Sequence, residues 1–339
     1  MRARIYLMIT SVLAASMVAC NEPIEVSADL PDRGNLITIT GLFGADSAWS
    51  IDVTSSKAIL DTKAFYGFGE IDLDPITNAK VTIRENSQVH DELVYSPKTF
   101  IIESWTYRSS KADIHPVPGK TYDIEVTVPG RGTATATSFV PSPAHLTSVI
   151  ASTELTTITS HRINGPNKDP VSYRSAPTDI VIDDPAGENF YELIIRYYPV
   201  EEHAPMPWWA TPVFTKDMRF HNTGLTPGGS VLQTSGDEYY TAIFSDSDPA
   251  AKQLKFSMML PVQTNVDENN VESIRSDIGY QLILRTLSKE YFQYVASQEL
   301  QAYSYDDPFA QPVVIYGNVR GGLGIFAGFS EDAREVEFR

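Results

Sequence analysis

The sequence predicts a mainly β protein. An Ig-like or transthyretin-like β-sandwich over residues 35–140 is followed by a second β-rich domain over residues 144–339, which contains one packed α-helix. Short segments in which apolar and polar residues alternate are typical of half-buried strands. Turns rich in glycine and proline separate these segments, as in many sandwiches. One later segment has the apolar spacing of a helix, so the second domain is expected to be mostly β with one helix.

The clearest strand of the first domain covers residues 122–128, where four apolar residues alternate with Asp, Glu and Thr. It follows the turn Pro118-Gly119 and precedes the turn at 129–132, so the threonine-rich segment 133–137 is expected to return as its hairpin partner. The same alternation over residues 49–53 predicts a strand in which Trp49 belongs to the core. Val81 and Ile83 repeat the pattern.

A proline pair at Pro141-Ser142-Pro143 marks the predicted domain boundary. Proline neither continues a central strand nor readily starts a hairpin. The polar stretch from Ser152 to Thr178 carries no pattern from which we predict an element. Beyond it, alternation predicts strands at 180–182, 191–195, 239–244, 254–258 and 280–284.

The single predicted helix lies near residues 288–303, a segment without glycine or proline. Ser288 is suited to be its N-cap, and Glu290 would lie near the positive end of the helix dipole. One face of this helix is apolar at the helical spacing and should pack on the second domain. That face consists of Leu287, Tyr291, Tyr294 and Val295.

The first residues have the pattern of a bacterial lipoprotein signal peptide over residues 1–19. A short basic start precedes an apolar stretch over residues 5–18, which is shorter than the ~20 apolar residues of a spanning helix. Met-Val-Ala-Cys at 17–20 resembles a lipobox, so we expect cleavage before Cys20 and acylation of its thiol and amino group, for example with palmitate. The alternative is a soluble secreted protein with an incidental cysteine near its cleavage site.

The remaining sequence fits a lipid-anchored, acidic, soluble body. Residues 20–34 are polar, acidic and proline-containing, as expected of a tether. Cys20 is the only cysteine, which excludes an intrachain disulfide. The 26 Lys and Arg against 43 Asp and Glu give a net charge of −17, which disfavours binding to nucleic acid and adsorption to anionic lipid. Only the lipid on Cys20 is therefore expected to touch the membrane.

Several stretches together resemble a lipoprotein family of Bacteroidota that is catalogued as domain of unknown function 4249 (DUF4249). They are Tyr-Phe-Gln-Tyr at 291–294, Asp-Pro-Phe-Ala-Gln-Pro at 307–312, Tyr-Gly-Asn-Val-Arg-Gly-Gly-Leu-Gly-Ile-Phe-Ala-Gly at 316–328, and Asp-Pro-Ala-Gly-Glu-Asn-Phe-Tyr at 184–191. Ala186 stands where the family more usually has proline. The resemblance extends over nearly the whole mature chain. It implies an outer-membrane lipoprotein, often encoded beside TonB-dependent receptors, and it supplies no catalytic residues.

Within the glycine-rich stretch, Gly322 to Ala327 also matches the dinucleotide fingerprint G-x-G-x-x-A. That fingerprint works only where a strand turns into a helix whose N-terminus meets the pyrophosphate. No helical pattern follows here. We therefore interpret these glycines as turn or bulge positions, after which Ile325 and Phe326 resume a strand.

Motifs for catalysis or metal binding are sparse. The sequence lacks the common zinc-protease, hydrolase and phosphate-loop motifs, and its six histidines are scattered. His90-Asp91-Glu92 is suggestive, but neighbours on a strand point to opposite faces. Acidic pairs offer oxygen ligands for calcium but match no calcium loop, so solvated acidic loops are the favoured interpretation. These groups are the pairs Asp72/Asp74 and Asp246/Asp248 and the run from Asp267 to Asn270.

The strongest candidate for ligand or partner contact is the pair Trp208 and Trp209, which follows Pro205-Met206-Pro207. The prolines place the pair in a loop, and exposed tryptophan gives a large, stiff contact surface. The alternative is that this loop folds back and caps the second domain. Trp105 is ambiguous between core and surface.

The sequence thus predicts a lipid-anchored outer-membrane protein that is not an enzyme and needs no cofactor or metal. We expect it to be an accessory or partner of a TonB-dependent transporter. The alternative function is a surface module for glycan or peptide, with Trp208 and Trp209 as its platform. Glu22 and Glu25 resemble surface-export signals and favour outward display.

Overall fold

A computed structural model describes residues 35–45, 47–56, 75–97, 107–111, 113–161, 170–200, 213–214, 238–246, 252–305 and 313–339. Over these residues the protein is mainly β with one α-helix, which confirms the predicted fold class. The finer prediction of an Ig-like or transthyretin-like sandwich stays a prediction.

The described strands are numbered in chain order, and the helix is α1. They are β1 (Ile37–Gly44), β2 (Ser50–Ser55), β3 (Lys80–Glu85), β4 (Gln88–Tyr95), β5 (Tyr107–Arg108), β6 (Thr121–Val128), β7 (Gly132–Phe139), β8 (His145–Ala151), β9 (Thr156–His161), β10 (Pro170–Asp183), β11 (Phe190–Pro199), β12 (Val213–Phe214), β13 (Glu238–Ser245), β14 (Gln253–Pro261), β15 (Thr264–Val266), β16 (Glu272–Ile274), β17 (Ile278–Leu287), α1 (Lys289–Tyr305), β18 (Leu323–Glu335) and β19 (Glu337–Phe338).

Two large sheets contain most of these strands. The larger has eleven strands in the order β13-β11-β17-β18-β1-β2-β5-β4-β3-β6-β7. The smaller follows β12-β14-β10-β8-β19, with β9 paired to β10. Most neighbours are antiparallel, but β1 and β18 run parallel with Thr38 opposite Leu323 and Gly44 opposite Phe329.

The first core lies among the strands from β1 to β7. Trp49 is fully buried there, with its ring centroid 4.9 Å from that of Phe43 and 5.0 Å from that of Tyr122. This confirms the prediction that Trp49 is a core residue. Phe326 of β18 belongs to the same cluster, so the C-terminal part of the chain completes the N-terminal core.

The end of the larger sheet folds back onto its middle. Thr135 of β7 and Arg320, just before β18, exchange backbone hydrogen bonds of 2.9 and 2.8 Å. Asn318 strengthens this contact, because its amide nitrogen donates to the carbonyl oxygen of Phe326 at 2.8 Å and to that of Thr137 at 3.2 Å. The first core is therefore enclosed by a path of strands that returns to β18.

A second core fills the space between the two large sheets. Its side chains come from β8, β10 and β14 of the smaller sheet and from β11, β13 and β17 of the larger one. The predicted boundary at 141–143 lies between the two larger cores. Strands from both sides of it share one sheet, and residues 34–339 form one compact unit.

Helix α1 covers a third, smaller core on the larger sheet, and its position confirms the helix prediction. Ser288 is its N-cap, since the hydroxyl oxygen accepts a hydrogen bond from the backbone N–H of Tyr291 at 3.4 Å. Leu287 and Tyr291 are buried, and Tyr294 and Val295 pack against the same core. The apolar face thus points to the sheet, as the spacing indicated.

Within the stretch from Ser152 to Thr178, for which no element was predicted, the described residues include β9 and the first part of β10. The two strands pair from Pro170 opposite His161 to Ser175 opposite Thr156. Most residues of this hairpin are polar, with Ile158 opposite Tyr173 as an apolar pair, and Thr159 and Ser172 form a side-chain hydrogen bond of 2.8 Å. The alternation of apolar and polar residues is therefore too short to give the usual signal of a strand.

Close backbone approach explains the glycine-rich stretch before and within β18, and a strand follows it rather than a helix. A Cβ on Gly324 would lie 2.0 Å from the carbonyl oxygen of Ile39, and one on Gly322 would lie 2.3 Å from that of Ile37. Gly324 also has φ +107°, a region that favours glycine. The structure thereby confirms that these glycines are structural and that the dinucleotide match is coincidental.

We expect Gly324→Ala to lower the free energy of unfolding by about 3 kcal/mol or more, because it adds both a strained φ and a clash with the backbone of β1. Gly119→Ala is the matched control. Gly119 has φ +80°, but a Cβ on it would meet no other atom within 4 Å, so this change should cost only about 1–2 kcal/mol. Urea denaturation measures both losses, and equal losses would contradict the role given to close approach.

Candidate functional site

The residues that the sequence singled out for anchoring and contact lie outside the described part of the chain. They are Cys20, Trp208 and Trp209. The ambiguous Trp105 and the acidic residues Asp72, Asp74 and Asp248 also lie outside it. The roles predicted for Cys20 and the two tryptophans therefore stay predictions.

The His90-Asp91-Glu92 segment on β4 does not assemble a shared site. The Nδ1 of His90 lies 3.6 Å from a carboxylate oxygen of Glu85. Asp91 is fully buried, and its carboxylate lies 3.3 Å from the ammonium nitrogen of Lys111. Glu92 instead pairs at the surface with Lys80, at 3.2 Å. The three side chains thus have three different charged partners.

The acidic loops differ from one another in burial. Asp267 is exposed, and its Oδ1 accepts the backbone N–H groups of Asn269 at 2.9 Å and Val271 at 2.8 Å. It stabilises the turn between β15 and β16, as expected of a solvated acidic loop. Asp246 is only 8% exposed. The interpretation of Asp246 as a solvated loop residue was therefore wrong, because the strand end that carries it is bound to the 184–189 turn, where its N–H donates to the carbonyl oxygen of Asn189 at 3.1 Å.

The most unusual polar group in the described structure is the pair of buried carboxylates at Asp184 and Asp246. Asp184 directly follows β10, and Asp246 directly follows β13. The connection from β10 to β11 and the connection from β13 to β14 each cross from one large sheet to the other. We call these connections the two crossings. Strand β11 pairs with β13 in the larger sheet, and β10 pairs with β14 in the smaller one. The two crossings therefore lie side by side, which brings together aspartates that are distant in sequence.

Backbone hydrogen bonds fix both aspartates. The N–H of Asp184 donates to the carbonyl oxygen of Lys252 at 3.0 Å, and the N–H of Asp246 donates to that of Asn189 at 3.1 Å. The two connections are thus held together by backbone hydrogen bonds. The side-chain amide of Asn189 also donates to the carbonyl oxygen of Gly187 at 3.0 Å, which holds the 184–189 turn in shape.

The two carboxylates are poorly compensated. Oδ1 of Asp184 accepts hydrogen bonds from the Tyr191 hydroxyl and, at 3.3 Å, from the Asn189 amide. Its Oδ2 and both oxygens of Asp246 are buried and accept no hydrogen bond. Burial, together with the neighbouring charge of Asp246, raises the pKa of Asp184 although Tyr191 and Asn189 act in the opposite direction. Burial and the contact with Asp184 likewise raise the pKa of Tyr191.

A second group of charges runs from a buried carboxylate to an exposed one and is well compensated. Glu192, Arg285 and Glu331 stand directly opposite one another on the adjacent strands β11, β17 and β18. Arg285 bonds to Glu192 at 3.2 Å and to Glu331 at 2.5 Å, and its guanidinium carbon lies 4.6 Å from the ring centroid of Phe329. Burial would lower the pKa of Arg285, but the surrounding negative groups outweigh it and raise that pKa.

This cross-strand row is therefore best explained as a structural ion network beneath α1. The Arg285 side chain is 15% exposed and that of Glu192 is 7% exposed. Such pairs contribute little net stability while they are intact, but removing one partner leaves an uncompensated buried charge. The hydroxyl of Tyr291, which accepts from Arg285 at 3.5 Å, ties the network to the helix.

Groups of three or more His, Cys, Asp or Glu residues in a metal-binding arrangement do not occur among the described residues. In the same part of the chain, the helix is not long and apolar enough to cross a membrane. The sequence offered no signal for the Asp184–Asp246 pair, since no local motif relates one crossing to the other.

We expect Arg285→Met to lower the free energy of unfolding by about 3–5 kcal/mol, because Glu192 would remain buried without its cation. Arg174→Met is the matched control, since Arg174 pairs with Glu272 at 2.8 Å nearer the surface and should cost less than about 1 kcal/mol. Urea denaturation measures both values. A loss at Arg285 no larger than that at Arg174 would contradict the structural role of the network.

Comparison with known proteins adds a family but no activity. A search of curated proteins finds no match. The family model described as "Domain of unknown function (DUF4249)" matches residues 24–335, which is nearly the whole chain. The stretches at 184–191, 291–294, 307–312 and 316–328 all lie within this match. The chain therefore belongs to the DUF4249 family.

Proposed function

We propose that the protein is a lipid-anchored, non-enzymatic accessory or partner of a TonB-dependent transporter in the outer membrane. The observation that carries this proposal is the Met-Val-Ala-Cys sequence at 17–20, which follows a short apolar stretch with a basic start. Acylation of Cys20 would fix the chain to the membrane at a single point. The resemblance to a family often encoded beside TonB-dependent receptors supports the choice of partner.

The length of the predicted tether sets how far the folded part can move. Residues 21–34 can span at most about 50 Å, and β1 begins shortly afterwards at Ile37. The lipid would therefore confine the folded part to a thin layer beside the membrane. Confinement of this kind raises the effective concentration of a protein near a membrane-embedded partner without any new contact.

The charge of the chain favours a protein partner over the lipid surface. With a net charge of −17, the folded part is repelled by anionic lipid heads. A specific contact must then come from apolar or complementary surface on another protein. We infer that the described residues contribute an exposed apolar group to this contact, the Val314 patch, consisting of Leu300, Val314 and Ile315.

The Val314 patch is held in place next to the C-terminal half of α1. The backbone N–H of Tyr316 donates to the hydroxyl of Ser297 at 2.8 Å, which fixes the segment that carries Val314 and Ile315 beside the helix. Leu300 lies one helical turn after Ser297 and is 60% exposed, and Val314 is 87% exposed. Exposed apolar side chains on a segment that is held in place in this way suit contact with another protein.

We expect Cys20→Ser to move the protein from the membrane fraction to the soluble fraction, because the thiol that receives the lipid is lost. Ser27→Ala, in the same predicted tether, is the control and should stay with the membrane. Immunoblotting of fractionated cells measures the distribution. If Cys20→Ser stayed membrane-bound, anchoring by lipid would be refuted.

We expect Val314→Asp to reduce recovery of a TonB-dependent receptor with the protein from mild-detergent extracts at least tenfold, because a charge would be desolvated at the contact. Val266→Asp is the control, since Val266 is 60% exposed on β15 and lies outside the Val314 patch. Affinity purification with quantitative mass spectrometry measures recovery. Recovery of the unaltered protein without any receptor would count against the transporter partnership, and equal recovery with both variants would exclude the Val314 patch.

A further inference from the structure

We propose that Asp184 and Asp246 bind one calcium ion where the β10–β11 and β13–β14 crossings lie side by side. The site is independent of the transporter partnership proposed above. It is built only from described residues, and its two ligands come from segments that are far apart in the sequence.

The position of both carboxylates is set by backbone contacts. Asp184 N–H donates to Lys252 O at 3.0 Å, and Asp246 N–H donates to Asn189 O at 3.1 Å. Each aspartate is therefore anchored on the opposite crossing. A site fixed in this way needs little rearrangement to receive an ion, which lowers the entropic cost of binding.

Three buried carboxylate oxygens provide the ligands. Oδ2 of Asp184 and both oxygens of Asp246 accept no hydrogen bond, although the two residues are 7% and 8% exposed. Among the described residues, every ion pair of Lys or Arg is with another carboxylate, and none is with either of these two. A buried charge without a partner is costly, so these oxygens require either a cation or a proton.

The ligand chemistry favours calcium among the common cations. All available ligand atoms are oxygens, which suit hard cations and disfavour zinc and copper. Both oxygens of Asp246 are free, so this carboxylate can bind in the bidentate manner common at calcium sites. Magnesium prefers strict octahedral geometry and retains several waters. Carbonyl oxygens and water would complete the coordination.

Neighbouring groups orient one ligand. The hydroxyl of Tyr191 and the amide of Asn189 both donate to Oδ1 of Asp184, which leaves Oδ2 available to an ion. Outer-shell hydrogen bonds of this kind are typical of metal sites and hold the carboxylate in one orientation. An ion bound between the aspartates would join the two crossings and thereby lock the smaller sheet to the larger one.

The experiment measures thermal unfolding of the full mature chain, purified in detergent, with excess CaCl₂ or excess EGTA. At about a hundredfold excess over the dissociation constant, calcium should raise Tm by about 5 °C. Asp246→Asn and Asp184→Asn should abolish this shift, since each removes a charged ligand at nearly constant volume. Asp183→Asn is the matched control. Asp183 directly precedes Asp184 and is exposed, so its replacement should leave the calcium-induced rise in Tm unchanged.

A second measurement does not depend on the variants. Terbium binds at calcium sites, and tyrosine close to it sensitises its luminescence, so Tyr191 would report occupancy. The unaltered protein should give a terbium signal that calcium displaces at a stoichiometry of one. An unchanged Tm in calcium and EGTA, or a calcium shift that persists in Asp246→Asn, would overturn the proposal. The proposal would also be overturned if calcium left Tm unchanged and Asp246→Asn raised Tm in EGTA. That result would show that the two carboxylates share a proton instead of an ion.

Discussion

The parallel pairing of β1 with β18 is the contact on which the architecture depends. In the larger sheet it is the step that connects the strands from β1 to β7 with β11, β13 and β17. It also delivers Phe326 into the first core, where its ring centroid lies 4.4 Å from that of Phe43. Gly322 and Gly324 allow the approach, because any side chain there would meet the backbone of β1. This pair of strands thus connects the first core to the rest of the larger sheet.

The sequence predicts well what depends on neighbouring residues. The alternation over 122–128 corresponds to β6, and the spacing from Leu287 to Val295 identifies the buried face of α1. The same local rules cannot show that residue 39 pairs with residue 324, because parallel partners share no turn and no pattern. They also miss β9 and the start of β10, where most residues are polar.

The candidate site was harder to predict than the fold for a related reason. From the sequence, Asp246 could be related only to its neighbour Asp248, and nothing distinguishes Asp184 from other aspartates in turns, where this residue is common. Their significance comes from two sheet crossings that lie side by side, which is a property of the topology. The features that the sequence marked most clearly, Cys20 and the tryptophans at 208 and 209, are predicted to act at the membrane or at a contact rather than in a core.

The β1–β18 pairing also has a kinetic consequence. Residues 38–44 find their partners at 323–329, so the first core cannot close until almost the whole chain is present. Contacts between such distant residues slow folding, because the loop must be ordered before the contact stabilises it. Until then β1 exposes an unpaired edge next to a partly formed core, which is a hazard for aggregation. A truncated chain that ends before β18 would therefore be unable to complete the core of its N-terminal half, although the missing residues are far away in the sequence.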